Sequence, residues 1–236
     1  MPRKNETRVK LKEKRRRDET RQRYIWIGII SIIAIAIVAV LILVNNKPVG
    51  EIRPAAAIDR PLVNRNSMGD PNAPVKVEEF SDFQCPYCRL FFEEGEKNIV
   101  DNYVKTGKVY FTYSSFSILD TSTTTGESKD AAQAAYCAAD QNKFWEFHDL
   151  LFTNQNGENI GDFSSKRLTA FAETLGLDAS AFTSCFSGNK YKQQVFDDLA
   201  RGRSLGVKAT PSFIVNGTLV EGYVGLAQAI DAALTK

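Results

Sequence analysis

The chain has 236 residues, of which 43% are hydrophobic, which is enough for one well-buried domain with appended segments. Its charge is uneven: residues 1–23 contain eleven Lys or Arg and four Asp or Glu, a net charge of about +7, whereas the whole chain carries only +2. These basic residues directly precede an uncharged apolar segment. This arrangement favours a membrane-topology signal over an arm that binds nucleic acid, so we expect no nucleic-acid partner.

Residues 24–44 predict a transmembrane helix. The 21 residues from Tyr24 to Val44 contain no charged side chain, and a helix of that length spans about 31 Å, the thickness of one hydrocarbon core. The basic tail at residues 1–23 then predicts a cytoplasmic N terminus, with everything after residue 44 outside the cytoplasm at the cell membrane. A buried core helix is one alternative. A signal peptide cleaved near Ala55–Ala57 is another, although the apolar segment exceeds the usual length of a signal-peptide core.

Residues 45–73 predict a linker, because they contain several Pro, Asn and Gly residues and few large apolar side chains. A folded domain is expected from residue 74 to residue 236. Its first segment, "PVKVEEF", alternates as a strand does, with Val75, Val77 and Glu79 on one face. Glu79 is therefore a carboxylate on an apolar face, unless the phase is shifted and it lies at the surface.

A helix is predicted from Pro86 to about Thr106, and a strand follows in "KVYFTYSSF". Strand, helix and strand make a crossover unit with a parallel pair of strands. Residues 120–205 are mostly helical in pattern. The segments "PSFIV" and "TLVEG", joined by Asn216-Gly217, then predict a hairpin, and a last helix covers about 225–234.

Four cysteines in an exported domain point first to disulfide chemistry. No metal site is expected, because Cys137 and Cys185 are 48 residues apart and His148 is the only imidazole. Cys85 and Cys88 are two residues apart, so a bridge between them closes too short a loop to be a useful structural staple. Their position favours redox chemistry.

Cys85 is predicted to lie at the first turn of a helix, where unpaired N–H groups and the helix dipole stabilise an anion. A stabilisation of about 1 to 2 kcal/mol lowers a thiol pKa by roughly 0.7 to 1.5 units. Cys85 is thus the predicted nucleophile. Cys88, one turn further along, is placed to attack a mixed disulfide formed at Cys85.

The strand, the Cys85-Pro86-Tyr87-Cys88 tetrapeptide opening a helix, the helical insertion, "FWEFHDLLF" and Ala209-Thr210-Pro211 before "SFIVNG" together resemble the thioredoxin superfamily. More narrowly, they resemble the bacterial DsbA-like thiol-disulfide oxidoreductases. The resemblance covers residues 74–236. It implies an α/β thioredoxin fold with an inserted α-helical domain at about 120–205, preceded here by one transmembrane helix.

The resemblance also assigns roles. It implies a cis peptide bond at Thr210-Pro211, opposite the cysteines, and a substrate-binding surface formed by Thr210 and Pro211 together with Pro86 and Tyr87. A trans proline opening an edge strand is the alternative. Glu79, six residues before Cys85, matches the buried acid that helps to move protons in this family. No cofactor is implied.

Related proteins carry a structural disulfide in the insertion, which implies a Cys137–Cys185 bridge. Closing a loop of about 48 residues would contribute roughly 4 kcal/mol in the chain-entropy model. Two buried thiols or a second redox couple are the alternatives. We expect His148 to be a packed or solvated helix residue.

The direction of the reaction stays open at this point, because oxidases, isomerases and reductases share the scaffold. Glutaredoxin-like reductases also use Cys-Pro-Tyr-Cys, whereas the best-known DsbA proteins have His in place of Tyr87. The predicted location favours an oxidase of reduced exported proteins, re-oxidised by a membrane quinone-linked partner of the DsbB or vitamin K epoxide reductase type. A reductase, an isomerase and a non-catalytic anchored binding module are the alternatives.

Overall fold

The computed structural model describes residues 3–45, 49–120 and 126–235, so parts of the predicted tail, linker and insertion lie outside the described residues. The chain divides into two compact units, Met1–Val49 and Gly50–Lys236. In the first unit, helix α1 covers Arg3–Asn45. Among the described residues, α1 is the one helix that is long and apolar enough to cross a membrane, over Arg21–Val40, by its length and composition alone.

The second unit is built on a mixed sheet of five strands among its described residues. The strands are β1 (Ser67–Met68), β2 (Val75–Ser81), β3 (Val109–Ser115), β4 (Ser212–Val215) and β5 (Thr218–Glu221). Their order is β1-β3-β2-β4-β5, with β2 and β3 parallel and the other pairs antiparallel. The predicted crossover and hairpin are both confirmed. The sheet has the strand arrangement expected for a thioredoxin fold.

The alternation of β2 decides which side chains enter the core. Val75, Val77 and Glu79 are all buried, as the sequence phase predicts. In the sheet register, Glu79 lies beside Tyr113 of β3 and Phe213 of β4. The carboxylate is therefore in the middle of the central strand, with neighbouring strands on both sides.

Helix α2 spans residues 86–104 and alternates α-helical turns (Pro86–Leu90, Lys97–Ile99) with π-helical turns (Phe91–Glu96, Val100–Val104). It ends before Gly107, whose φ of +73° is the left-handed conformation that glycine tolerates. The remaining helices are α3 (Glu127–Ala139), α4 (Phe144–Asn154), α5 (Ser165–Thr174), α6 (Ala179–Ser187), α7 (Lys192–Ser204) and α8 (Leu226–Leu234). Helices α3 to α7 form the insertion between β3 and β4.

Within the region 120–205, which the sequence predicts to be mostly helical, two apolar stretches are each divided into two helices. The stretch 126–154 breaks between α3 and α4, and the stretch 179–205 breaks between α6 and α7. Each break contains an asparagine in the left-handed region, Asn142 at φ 57° and Asn189 at φ 54°. Asparagine adopts this conformation more readily than other residues with a side chain, so it ends a helix where an apolar count alone predicts continuation.

The main core lies on the face of the sheet that carries Glu79. It contains Phe91 of α2, Phe213 of β4 and Ile230 of α8, together with aromatic residues of α4. A smaller cluster on the opposite face contains Phe80, Phe116, Leu199 and Val207. The cysteine pair belongs to the main core.

The prediction of a linker over residues 45–73 is wrong for residues 50–73. These residues belong to the second unit, where β1 pairs with β3 and the side chain of Met68 is fully buried. Arg60 enters the core and forms ion pairs with Glu96 and Asp149. Proline and polar residues were the basis of the linker prediction, but here they shape an extended segment that is bound by long-range contacts. The domain therefore begins at Gly50, not at residue 74.

Cys137 and Cys185, which the family resemblance implies are paired, form a disulfide with a Cα–Cα distance of 5.9 Å. The bridge joins α3 to α6 across a sequence separation of 48 residues. It therefore cross-links the insertion within itself, leaving Cys85 and Cys88 as free thiols.

Candidate active site

Cys85 and Cys88 lie at the start of α2. Cys85 is the N-cap residue, with an extended backbone (φ −73°, ψ 122°), and Pro86 opens the helix, where its missing N–H costs nothing. The Cys85 N–H donates to the Asp82 carbonyl at 2.9 Å, which closes the turn between β2 and α2. Cys85 keeps 5% of its surface exposed and Cys88 keeps none. A foreign thiol can therefore reach only the first sulfur.

The peptide bond between Thr210 and Pro211 is cis, as the family resemblance implies. The Cys85 Sγ lies 3.3 Å from the Thr210 carbonyl oxygen, although the two residues are 125 positions apart. Tyr87, two residues after Cys85, is 67% exposed. Folding thus brings the two predicted substrate-binding segments, 86–87 and 210–211, to the reactive sulfur.

The pKa values of the two thiols are shifted in opposite directions. The pKa of Cys85 is lowered to about 6, because the Cys88 thiol, the Thr210 side chain and the N–H groups of Cys88 and Tyr87 all stabilise its thiolate. Burial raises the pKa of Cys88 well above its ordinary value, and the neighbouring Cys85 raises it further. The helix N terminus therefore contributes as predicted, but the partner thiol contributes more.

Glu79 is buried and close to this pair. Burial raises the pKa of its carboxyl to about 8, and the negative charge of Glu96 adds to the effect. Ser81 and Arg60 act in the opposite direction. Glu79 is therefore protonated at neutral pH and able to release a proton slightly above it, as a group that moves protons needs to do.

A family model described as Thioredoxin matches residues 63–232, which is more than half of the chain. The chain belongs to the thioredoxin family.

Within this thioredoxin family, the chain is similar to the "Probable disulfide bond formation protein D" of Bacillus anthracis, with 30% identity over 175 residues, 73% of this chain and 79% of that protein. It is similar in structure to a thioredoxin-like oxidoreductase from Silicibacter pomeroyi DSS-3, with 30% identity, a TM-score of 0.61, and coverage of 73% of this chain and 94% of that one. Oxidised BdbD from Bacillus subtilis has the same fold, with 22% identity, a TM-score of 0.64, and coverage of 78% and 100%. These similarities confirm a DsbA-like thiol-disulfide oxidoreductase.

The thioredoxin-family core also contains a buried charge cluster that the sequence did not reveal. Arg60 Nη2 lies 2.8 Å from Glu96 Oε1 and 2.6 Å from Asp149 Oδ1. Its guanidinium carbon also lies 4.8 Å from the centre of the Trp145 ring. The acidic members lie on α2 and α4, so Arg60 joins the thioredoxin core to the insertion. In the sequence, Arg60 stands next to Pro61, and an arginine in such a context is typical of the surface. The sequence therefore contains no sign that Arg60 is buried.

Three residues in and beside this charge cluster have metal-ligating side chains close to one another. Oxygen or nitrogen atoms of Glu96, His148 and Asp149 lie within 4.8 Å of one another, and His148 Nδ1 is 2.9 Å from Asp149 Oδ1. The Arg60 guanidinium already contacts both carboxylates, so it supplies the positive charge that a metal would bring. His148 is buried among aromatic rings, which agrees with its expected packing role.

Asp82 holds the active-site turn against the insertion. Its buried carboxylate accepts hydrogen bonds from the Gln84 N–H at 2.9 Å, the Ser128 hydroxyl at 2.6 Å and the Ile118 N–H at 2.9 Å. Ser128 is in the first turn of α3. The turn that carries Cys85 is therefore fixed by contacts from three parts of the chain. In the sequence, the only sign that Asp82 stabilises this turn is its position three residues before Cys85.

Alkylation of the reduced protein by iodoacetamide is expected to rise with a midpoint near pH 6, because only the thiolate of Cys85 reacts. Cys88 should stay unmodified over this range, since burial raises its pKa. Mass spectrometry of the two cysteine peptides between pH 4 and 9 measures both. A midpoint near 8.5, the ordinary value for cysteine, would contradict the lowered pKa.

Proposed function

We propose that this oxidoreductase is an extracytoplasmic oxidase that introduces disulfides into exported proteins. The observation that carries the proposal is the arrangement of the pair: Cys85 lies at the N-cap of α2 and keeps some exposed surface, whereas Cys88 is fully buried. This arrangement agrees with the lowered pKa of Cys85, about 6. At neutral pH the reduced enzyme gains stability from a thiolate that the disulfide form lacks. Stabilisation of the reduced form raises the reduction potential, so it makes the Cys85–Cys88 disulfide a better oxidant than an ordinary dithiol pair.

The sign of the pH dependence follows from the same pKa. The depressed pKa means that the folded, reduced protein binds fewer protons than the unfolded chain between pH 6 and about 8.5. The stabilisation is fully present above the unfolded value and is lost as the pH falls through 6. The enzyme should therefore be a stronger oxidant relative to a simple dithiol at pH 7 than at pH 5.

In the proposed reaction, a client thiolate attacks the Cys85 sulfur of the oxidised enzyme. The Cys85–Cys88 bond breaks, and its electron pair leaves on Cys88, which takes up a proton. A second client thiolate then attacks the client sulfur of the mixed disulfide, and Cys85 leaves as a stable thiolate. The client loses two electrons to form its disulfide, and the enzyme gains them as a dithiol.

Glu79 is proposed to supply the proton that Cys88 takes up. A carboxyl with a pKa of about 8 is protonated at pH 7, yet close enough to neutrality to release its proton. The client is proposed to lie as an extended segment along the backbone at Thr210-Pro211, with Pro86 and Tyr87 beside it. The 3.3 Å approach of Cys85 Sγ to Thr210 supports this placement.

Helix α1 is proposed to anchor the catalytic unit at the cell membrane, with the basic residues 1–23 in the cytoplasm. The length and composition of Arg21–Val40 support this, and a cleaved signal sequence is the alternative. Re-oxidation would then fall to a membrane quinone-linked partner of the DsbB or vitamin K epoxide reductase type. The name of the Bacillus anthracis relative, a probable disulfide bond formation protein, agrees with this direction.

The reduction potential of the Cys85–Cys88 couple tests the proposal. We expect a value above that of thioredoxin, about −270 mV, and shifted towards that of DsbA, about −120 mV. Equilibration with glutathione buffers, followed by alkylation and mass spectrometry, gives the value. A potential near −270 mV would make the protein a reductase, and failure both to oxidise a reduced client and to reduce an oxidised one would leave only a binding role.

A further inference from the structure

Ser81 is the last residue of β2 and stands two positions after Glu79, so both side chains lie on the same face of the strand. The residue is fully buried, yet its hydroxyl oxygen has no hydrogen-bond partner in the described part of the chain. A buried hydroxyl without a partner costs free energy, and such groups are rare in native proteins. This one therefore calls for a functional explanation.

The Ser81 backbone carbonyl accepts hydrogen bonds, whereas the Ser81 hydroxyl has no partner in the described part of the chain. The Ser81 carbonyl accepts hydrogen bonds from the Phe116 N–H at 2.7 Å and from the Tyr113 hydroxyl at 3.3 Å. The side-chain oxygen lies close enough to Glu79 and to Cys88 to lower the pKa of each. No hydrogen bond of normal geometry joins the hydroxyl to a partner in the described part of the chain, so it is not committed to either group.

Cys88 needs a proton route through the protein. Its sulfur has no exposed surface, so solvent water does not reach it directly. A serine hydroxyl donates one proton and accepts another at the same time, which is what a relay requires. We propose that the Ser81 hydroxyl carries the proton between the Glu79 carboxyl and the Cys88 sulfur, an inference that rests on the proposed function and deepens it.

Proton transfer to Cys88 accompanies the breaking of the Cys85–Cys88 bond. When a thiolate attacks Cys85 Sγ, the Cys85–Cys88 bond breaks and Cys88 keeps the electron pair. The Ser81 hydroxyl gives its proton to Cys88 Sγ, and its oxygen takes the proton of the Glu79 carboxyl. The products are a Cys88 thiol, an intact Ser81 hydroxyl and a Glu79 carboxylate. The reverse transfer deprotonates Cys88 when it attacks a mixed disulfide.

Ser115 provides a matched control. It pairs with Ser81 across β2 and β3 and is equally buried, but its hydroxyl is bonded to the Ser117 hydroxyl at 2.7 Å. Ser115→Ala therefore removes a buried hydroxyl from the same part of the sheet without touching the proposed relay. Ser81→Thr keeps a hydroxyl at the relay position.

The test is the single-turnover reduction of the oxidised full chain by dithiothreitol, measured by stopped flow between pH 5 and 9. We expect Ser81→Ala to be slower by about 100-fold at pH 7, Ser81→Thr to recover most of the rate, and Ser115→Ala to match the wild type. The pH profile of Ser81→Ala should lose the inflection that comes from Glu79. The other titratable or charged groups facing this pair are Cys85, Glu96, Arg60 and Tyr113, and all stay unchanged.

Stability and epistasis separate a relay from a structural role. Because the Ser81 hydroxyl has no partner, Ser81→Ala should unfold at the same or a higher urea concentration than the wild type. Adding Glu79→Gln to Ser81→Ala should slow the reaction no further. Earlier unfolding of Ser81→Ala, a rate equal to that of Ser115→Ala, or fully independent losses in the double variant would each overturn the relay.

A failure of the Ser81 relay can be distinguished from a failure of the proposed oxidase function. Wild-type protein is assayed for client oxidation in the same experiment, and a wild type that reduces clients would overturn the oxidase direction only. The relay would still be supported by a slow Ser81→Ala, since Cys88 gains or loses a proton in both directions.

Discussion

Replacing Cys85 by serine is expected to abolish thiol-disulfide exchange, with a loss of about three orders of magnitude or more. The reason is that Cys88 has no exposed surface and a raised pKa, so it cannot take over as nucleophile. Cys88→Ser should behave differently. Its Cys85 thiolate still attacks a client disulfide, but no second enzyme sulfur is present to release the mixed disulfide.

Oxidation of a reduced client by pre-oxidised enzyme measures the loss of activity in Cys85→Ser. Non-reducing electrophoresis measures the complexes trapped by Cys88→Ser. Mixed disulfides should join the client to Cys85 and not to the insertion, because Cys137 and Cys185 are bonded to each other. Client oxidation by Cys85→Ser at the wild-type rate would mean that the Cys85–Cys88 pair is not the reacting disulfide.

Replacing Arg60 by methionine is expected to lower the free energy of unfolding by about 3 to 5 kcal/mol. The side chain of Arg60 is only 3% exposed, and its removal leaves the buried Glu96 and Asp149 without their shared cation. Loss of its positive charge should also raise the pKa of Glu79 further, since Arg60 opposes the effects of burial and of Glu96 on that group. Urea unfolding of the full chain in detergent gives the free energy.

Lys143→Met is the matched control for Arg60. Lys143 forms an ion pair of 2.8 Å with Glu146, but both side chains are more than 40% exposed. Solvent screens such a pair, so its loss should change the free energy of unfolding by less than about 1 kcal/mol. Equal effects of the two substitutions would show that Arg60 does not stabilise the core by charge pairing.

The sequence was sufficient for the features that depend on neighbouring residues. The alternation of β2 placed Glu79 in the core, and Pro86 with the two cysteines marked the start of α2. The uncharged segment at 24–44 predicted the apolar helix α1. Resemblance to a family added what local pattern does not contain, namely the cis bond at Thr210-Pro211 and the pairing of Cys137 with Cys185.

The segment 50–73 shows where local pattern misleads. Prolines and polar residues favour a linker when only the chain itself is considered. Arg60 is instead buried by Glu96 and Asp149, which lie 36 and 89 residues further along the chain. No property of Arg60 or its neighbours encodes those partners, because its burial depends on two opposite charges that only folding brings together.

By itself, the sequence determined the phase of Glu79 in β2 and the apolar N-terminal helix, and it predicted Cys85 as the nucleophile, because each depends on residue types at short, regular spacings. Only the tertiary structure decided the unequal acidities of the two thiols, the buried position of Arg60 and the unpartnered hydroxyl of Ser81. These properties arise from burial and from charges on distant segments. Electrostatic effects act through space, so they follow the fold and not the order of residues in the chain.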